Sequence, residues 1–160
     1  MVRRLLAALA LVAFPFSAIA ADNPDEACIR RLTNSERTQR GIPALTDNPG
    51  VDRIARRHAA EMAADRDTYH NTHLASDYNR ELGGYKEGGE NVGQGPDCET
   101  IHAAFMSSPG HKANILDRSY TQVGVGVRYD AEHTLYVVVD FFTPESKPRS
   151  KPTPSVKRCV

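Results

Sequence analysis

Three short segments near the middle of the chain most constrain its fold, because each combines an ionisable side chain with Gly or Pro. They are YHNTHL (69–74), GGENVGQG (88–95) and SSPGHKANIL (107–116). Their ionisable residues include two histidines and a glutamate, and these groups are what a divalent metal or an acid–base site requires. Glycine beside such groups indicates a backbone of special shape. The pattern is typical of a protein that gathers polar side chains in a cleft.

The length of 160 residues predicts a single domain preceded by a targeting segment. Residues 1–20 start with Arg3 and Arg4, continue through an apolar run and end on the small-residue sequence Ala18-Ile19-Ala20. This pattern predicts a secretory signal peptide, and therefore a secreted, extracellular protein, with a retained N-terminal anchor as the alternative. No other stretch is long and apolar enough to predict a membrane span.

Charge separates the expected domain, residues 24–144, from the C-terminal tail, residues 145–160. After removal of the signal peptide the chain carries 18 basic and 20 acidic side chains. This near balance argues against a nucleic-acid partner. The tail contains three prolines among basic residues, which predicts an extended, solvated linker. The alternative is a tether to the cell wall or to nucleic acid.

Three cysteines follow the signal peptide: Cys28, Cys98 and Cys159. Export favours oxidation, so we expect one disulfide and one remaining thiol. We favour Cys28–Cys98, whose members open the first and third predicted helices. Pairing with Cys159 is the main alternative, because spacing does not fix connectivity.

Four helices are predicted from their start signals. Asn23-Pro24 opens a helix that stops before Gly41, and Asn48-Pro49 opens one that runs to about Ala64. Asp97 can cap the third helix, and Ser108-Pro109 starts a short fourth. His58 lies on the apolar stripe of the second helix, which favours a buried, hydrogen-bonded residue over a metal ligand.

Two strands close the domain. Valines alternate with Gly124 and Gly126, giving one bulky face and one bare face that a helix can approach closely. The continuous apolar run from Tyr136 to Phe142 predicts a central strand, joined to the first by a hairpin at Asp130–Thr134. A third strand is expected near Glu90. Helices on both sides give an α+β fold, a three-layer α-β-α sandwich around a small antiparallel sheet.

Together these motifs resemble the CAP superfamily of cysteine-rich secretory, antigen five and pathogenesis-related proteins. The likeness is closest to the short bacterial members, and the same three-layer fold is implied. It is carried, in order, by LTNSERTQRGIPAL (32–45), IARRHAAEMA (54–63), the three segments above and VGVGVRYDAEHTLYVVVDFF (123–142).

The resemblance implies a cleft that holds two His and two Glu in the family. His70 matches the first His and Glu90 matches the carboxylate of the Gly-Glu-Asn motif. The second His position is Ser119 here, and the remaining Glu falls near Ser108, so half of the set is missing. His111 is expected to compensate, near the positive end of a helix dipole that lowers its pKa.

The expected cleft residues are therefore His70, Glu90, His111 and Ser119. The first three form a candidate ligand set for zinc or another divalent metal. His73 is either an additional ligand or an exposed loop residue. The structural alternative is that Glu90 accepts backbone N–H bonds to hold a loop, while His111 locks the fourth helix against the sheet.

The first functional hypothesis is a secreted, monomeric binding module for a small amphipathic, glycan or peptide ligand. The alternatives are a metal-assisted hydrolase of peptidase type and a non-catalytic scaffold that binds an envelope component. Catalytic residues are not identified, since neither a Gly-x-Ser-x-Gly elbow nor a His-Glu-x-x-His helix occurs.

Overall fold

A computed structural model describes residues 23–146, which form five helices and four strands. The predicted signal peptide, Cys159 and nearly all of the tail lie outside these residues. None of the helices within 23–146 is long and apolar enough to cross a membrane. In chain order the elements are α1 (Pro24–Thr38), β1 (Thr46–Asp47), α2 (Pro49–Asp65), α3 (Leu74–Leu82), β2 (Tyr85–Gly95), α4 (Cys98–Ser107), α5 (Pro109–Leu116), β3 (Gln122–Tyr129) and β4 (Leu135–Pro144).

The four predicted helices begin where their capping signals lie. The Asn23 side chain accepts the backbone N–H of Asp25, and the Asn48 side chain accepts that of Gly50. Asp97 caps α4 in the same way, whereas Ser108 precedes Pro109 without a side-chain capping bond. Side-chain acceptors satisfy N–H groups that have no partner within the helix, which fixes each start.

Helix α3 was not predicted. It is a nine-residue helix that ends at Gly83, which adopts a left-handed conformation with φ of 78°. Its Tyr78 is buried against Phe142, with the two ring centroids 5.0 Å apart. A helix this short owes its stability mainly to such packing, so local sequence signals are weak.

The sheet is mixed rather than purely antiparallel, which corrects the expectation. Its strand order is β1-β3-β4-β2, and β4 pairs antiparallel with both neighbours. The short β1 runs parallel to β3, with Thr46 opposite Gln122. The Asn34 amide bonds both the N–H and the C=O of Leu45, at 2.8 and 3.0 Å, and so holds the segment leading into β1.

Helices cover both faces of this sheet, so the predicted three-layer sandwich is confirmed. The odd-numbered side chains of β3 and β4 pack against α1, α4 and α5. The even-numbered side chains of β4 face α2 and α3. The predicted disulfide Cys28–Cys98 is also confirmed: it joins α1 to α4, with the two Cα atoms 6.3 Å apart.

The bare face of β3 lies directly against the backbone of α2. A Cβ added to Gly124 would lie 2.4 Å from the carbonyl carbon of Val51, and one added to Gly126 would lie 2.2 Å from that of Ala55. Since Cβ atoms do not approach backbone this closely, neither position has room for a side chain. Glycine therefore sets the distance between α2 and the sheet.

Gly126→Ala is expected to lower the free energy of unfolding by about 2 kcal/mol or more, because α2 must shift to admit the methyl group. The measurement is urea denaturation followed by circular dichroism. Gly110→Ala is the matched control, since a Cβ at Gly110 meets nothing within 4 Å. Equal effects of the two substitutions would contradict the close approach.

Candidate functional site

The centre of the candidate site is the carboxylate of Glu90 on the edge strand β2. Its side chain is only 5% exposed. One oxygen, Oε1, accepts the backbone N–H of Asn71 at 2.9 Å and contacts Nδ1 of His70 at 2.8 Å. The loop between α2 and α3 is thus fastened to β2. Accepting a backbone N–H to hold a loop is the structural role considered for Glu90 from the sequence.

His70 presents a free ring nitrogen to solvent. Because a carboxylate only accepts hydrogen bonds, Nδ1 of His70 carries a proton in this pair, and in the neutral ring Nε2 keeps its lone pair. The side chain is 65% exposed, so Nε2 is accessible from outside. A carboxylate-oriented imidazole of this kind can accept a proton or hydrogen bond or coordinate a metal.

His58 on α2 holds the same loop from below, as a buried and hydrogen-bonded residue. Its Nε2 donates to the backbone carbonyl of Tyr69 at 2.8 Å, and its ring packs edge-on against the Tyr69 ring. Its Nδ1 lies 3.3 Å from Glu61. His58 therefore positions the residue that precedes His70, in agreement with the sequence interpretation.

Asn91, the neighbour of Glu90, forms hydrogen bonds on the opposite face of β2. It is fully buried, and its amide nitrogen donates to the carbonyl of His111 at 2.9 Å. Its amide oxygen accepts from Asn114, which also donates to the carbonyl of Glu90. The Gly-Glu-Asn motif thus ties the loop to one face of the strand and α5 to the other.

His111 lies in the first turn of α5, with its ring 5.0 Å from that of Phe105. Burial lowers the pKa of His111, and the charge of nearby His70 lowers it further. A lowered pKa of His111 was expected from the sequence, although burial rather than the helix terminus is its main cause. The neutral form that results is the one able to coordinate a metal.

The candidate metal ligands do not form a compact cluster. Among residues 23–146, the only three His, Cys, Asp or Glu side chains with ligand atoms within 4.8 Å of one another are Cys28, Cys98 and Glu99. The two sulfur atoms in that group are bonded to each other. The ligand set of His70, Glu90 and His111 therefore stays a prediction.

Two further sequence candidates have no hydrogen bond to Glu90 among the bonds of residues 23–146. Ser119 is exposed, and its hydrogen bonds join Asp117 and Thr143 rather than the two histidines or Glu90. His73 is exposed immediately before α3, as the loop interpretation expected.

Asp140 is a buried acid that the sequence analysis missed. It lies opposite Glu90 on the neighbouring strand β4, fully buried, and neither oxygen has a hydrogen-bond partner among the described residues. Burial, followed by the charge of Glu90, raises the pKa of Asp140 well above its usual range. The sequence feature that could have identified Asp140 is that it is a single charged residue within the apolar run of β4.

A small cavity lies beside this site, between α3 and β2. Its volume is about 240 Å³. Asn71 lines it, so the residue whose N–H binds Glu90 also forms the cavity wall. The remaining lining residues are mostly apolar or small: Thr72, Leu74, Ala75, Tyr78, Tyr85 and Gly88.

The family model for the cysteine-rich secretory protein family, CAP, matches residues 30–141. The chain belongs to this family. The CAP match includes the loop of His70, strand β2 and helix α5, so every element that carries the site lies within it.

Known relatives are similar over this CAP region. The chain is 32% identical to an uncharacterized protein of Bacillus subtilis, YkwD, over 59% of this chain and 39% of YkwD. The solved structure of an extracellular Bacillus anthracis protein with an SCP domain matches with a TM-score of 0.65 at 22% identity, covering 74% of this chain and 40% of that one. An outer surface protein of Borrelia burgdorferi matches with a TM-score of 0.70 at 14% identity, covering 76% and 93%. The chain thus spans less than half of YkwD and of the Bacillus anthracis protein, and the two structural matches indicate the fold alone.

Glu90→Ala is expected to lower the free energy of unfolding by about 1–3 kcal/mol, because the Asn71 N–H loses its acceptor. Hydrogen exchange of the Asn71 amide should accelerate in the same variant. His70→Ala, which removes an exposed ring, should stay within about 0.5 kcal/mol of the parent protein. Unchanged exchange at Asn71 in Glu90→Ala would contradict the role of Glu90 in holding the loop.

Proposed function

We propose that this CAP protein is an exported binding module for a small amphipathic ligand. The polar end of the ligand would contact the rim formed by His70 and Asn71. One apolar group of the ligand would enter the cavity between α3 and β2. The observation that carries the proposal is the double role of Asn71, which bonds Glu90 and lines the cavity. The apolar region predicted at residues 5–16 and the extracellular or outer surface relatives support export.

The size of the cavity limits the class of ligand. Sites for drug-sized molecules usually measure roughly 300–1,000 Å³. A cavity of about 240 Å³ is smaller than this range. It fits the end of an acyl chain, a small ring or one apolar side chain of a peptide better than a whole sterol. The remainder of the ligand would lie along the exposed rim.

The chemistry of the rim supports binding rather than turnover. The neutral ring of His70 offers one hydrogen-bond acceptor at Nε2, and within residues 23–146 no Ser or Cys side chain hydrogen-bonds to Glu90. Such a site recognises a hydroxyl, amide or protonated amine. Long-chain alcohols, sterols and cell-wall fragments carry such donors and are therefore the probes to compare.

Ala75→Trp is expected to reduce affinity for a bound long-chain alcohol by roughly tenfold, about 1.4 kcal/mol, because the indole fills the cavity. The measurement is titration calorimetry on the mature chain, residues 21–160. Ala103→Trp places the same side chain at an exposed position of α4 and should leave affinity unchanged. Absence of saturable binding to every probe class would reject the proposal.

The second candidate is a metal-assisted hydrolase, favoured by one observation. The buried oxygen Oε2 of Glu90 has no hydrogen-bond partner among the described residues and lies 3.8 Å from His58 Nε2. With Nε2 of His70 and the neutral ring of His111, the donor types suit zinc, although the three are not clustered. A bound zinc would supply an activated water.

If His70 and His111 both coordinate zinc, His70→Ala and His111→Ala should each abolish micromolar zinc binding in calorimetry. His73→Ala, which removes an exposed imidazole beside the site, is the control and should leave binding intact. Failure of the parent protein to bind added zinc at micromolar concentration would reject this candidate.

A further inference from the structure

The charges of this chain are divided between its domain and its tail. Residues 23–146 carry 19 acidic and 13 basic side chains, whereas residues 147–160 carry five basic side chains and no acidic one. The net charge of the whole chain is therefore near zero only because an acidic domain is followed by a basic segment. Opposite net charges on two parts of one chain attract each other at moderate ionic strength.

The chain emerges from the described domain beside the cavity. Pro144, at the end of β4, is opposite Tyr85 on β2, and Tyr85 lines the cavity. The next residue, Glu145, lies over Gly84, with a carboxylate oxygen 2.8 Å from where a Cβ of Gly84 would be. The tail thus starts at the rim of the proposed ligand site.

The cavity and its rim match the composition of the tail. Tyr78 and Tyr85 meet edge to face, with ring centroids 5.5 Å apart, and form an aromatic wall. Proline-rich segments favour the polyproline II conformation and bind aromatic-lined grooves. Glu145 is exposed at this rim, and the structure gives it no salt bridge with another described residue.

We propose that residues 147–154, KPRSKPTP, dock over the cavity between α3 and β2 and compete there with an external ligand. The prolines would contact the tyrosine wall, and the Lys and Arg side chains would be attracted by the net negative charge of the domain. In polyproline II geometry eight residues extend about 25 Å, which is enough to cross the cavity from its rim. The competition, though not the docking, rests on the proposed function.

Docking can be measured without any ligand. In the mature chain, Cys159→Ser combined with Ser150→Cys leaves one thiol at position 150 for a nitroxide label, because Cys28 and Cys98 are joined. The label should broaden the amide NMR signals of Ala75, Tyr85 and Gly88. The amide signal of Ala103, which is exposed on α4, should stay sharp. Broadening should weaken in 1 M salt, where the Debye length is about 3 Å.

Matched variants separate a specific contact from diffuse attraction. Ala75→Trp fills the cavity and should remove the broadening, whereas Ala103→Trp should retain it. Broadening spread over the whole acidic surface, or absent from the cavity, would overturn the proposal. Broadening that appears only after inorganic polyphosphate is added would also overturn the proposal, because the tail would then be a tether for a polyanion.

A second measurement distinguishes this inference from the proposed function. If the tail occupies the cavity in at least half of the molecules, a chain ending after Ser146 should bind a long-chain alcohol probe at least about twofold more tightly. Docking in a protein that binds no probe would reject the proposed function and leave the docking intact. Equal probe affinity in both chain lengths would overturn the competition.

Discussion

The close contact between α2 and the glycine face of β3 determines where the site can form. Without side chains at Gly124 and Gly126, the backbone of α2 lies directly on the sheet. This fixes His58, which holds the carbonyl of Tyr69, and thereby the loop that presents His70 to Glu90. Each step is a hydrogen bond or a packing contact with little freedom, since close-packed interiors transmit displacement rather than absorb it. The position of an exposed imidazole thus depends on two buried residues that have no side chain.

The carboxyl groups of Glu90 and Asp140 are unusual for a central region of a small sheet. Burial of a charge is costly unless it is paired, and these two carboxyl groups occupy facing positions on adjacent strands. Glu90 receives two donors, whereas Asp140 receives none among the described residues, so Asp140 is the member favoured in its neutral form. Its raised pKa follows from the same burial and from the charge of Glu90. A departure from the packing rules beside a cavity is more characteristic of a functional site than of a structural core.

Most of the fold could be predicted because its signals are local. Asn or Asp caps, proline in the first turn and alternating Val and Gly marked four helices and β3 directly. Helix α3 and the parallel strand β1 depend instead on tertiary contacts, Tyr78 against Phe142 and Asn34 around Leu45, that no local pattern encodes. Within the site, the motifs identified Glu90 and His70. The backbone of Ser119 bonds Asp117 and Thr143, and its place in the cleft stays a prediction. Asp140 was missed because one acid within an apolar strand was treated as part of the core.

The two proposals for the site place different demands on α5. Coordination of a metal by His70, Glu90 and His111 requires ligand atoms that do not all lie within 4.8 Å of one another to converge. The backbone of α5 cannot easily follow, because Asn91 and Asn114 tie it to β2 through three hydrogen bonds. Only rotation of the side chain remains available, at the expense of its contact with Phe105. Binding of an amphipathic ligand requires no such change, since the cavity and the free nitrogen of His70 are already in place. The hydrogen bonds around β2 thus restrain α5 in the proposed metal site and leave the proposed ligand site unchanged.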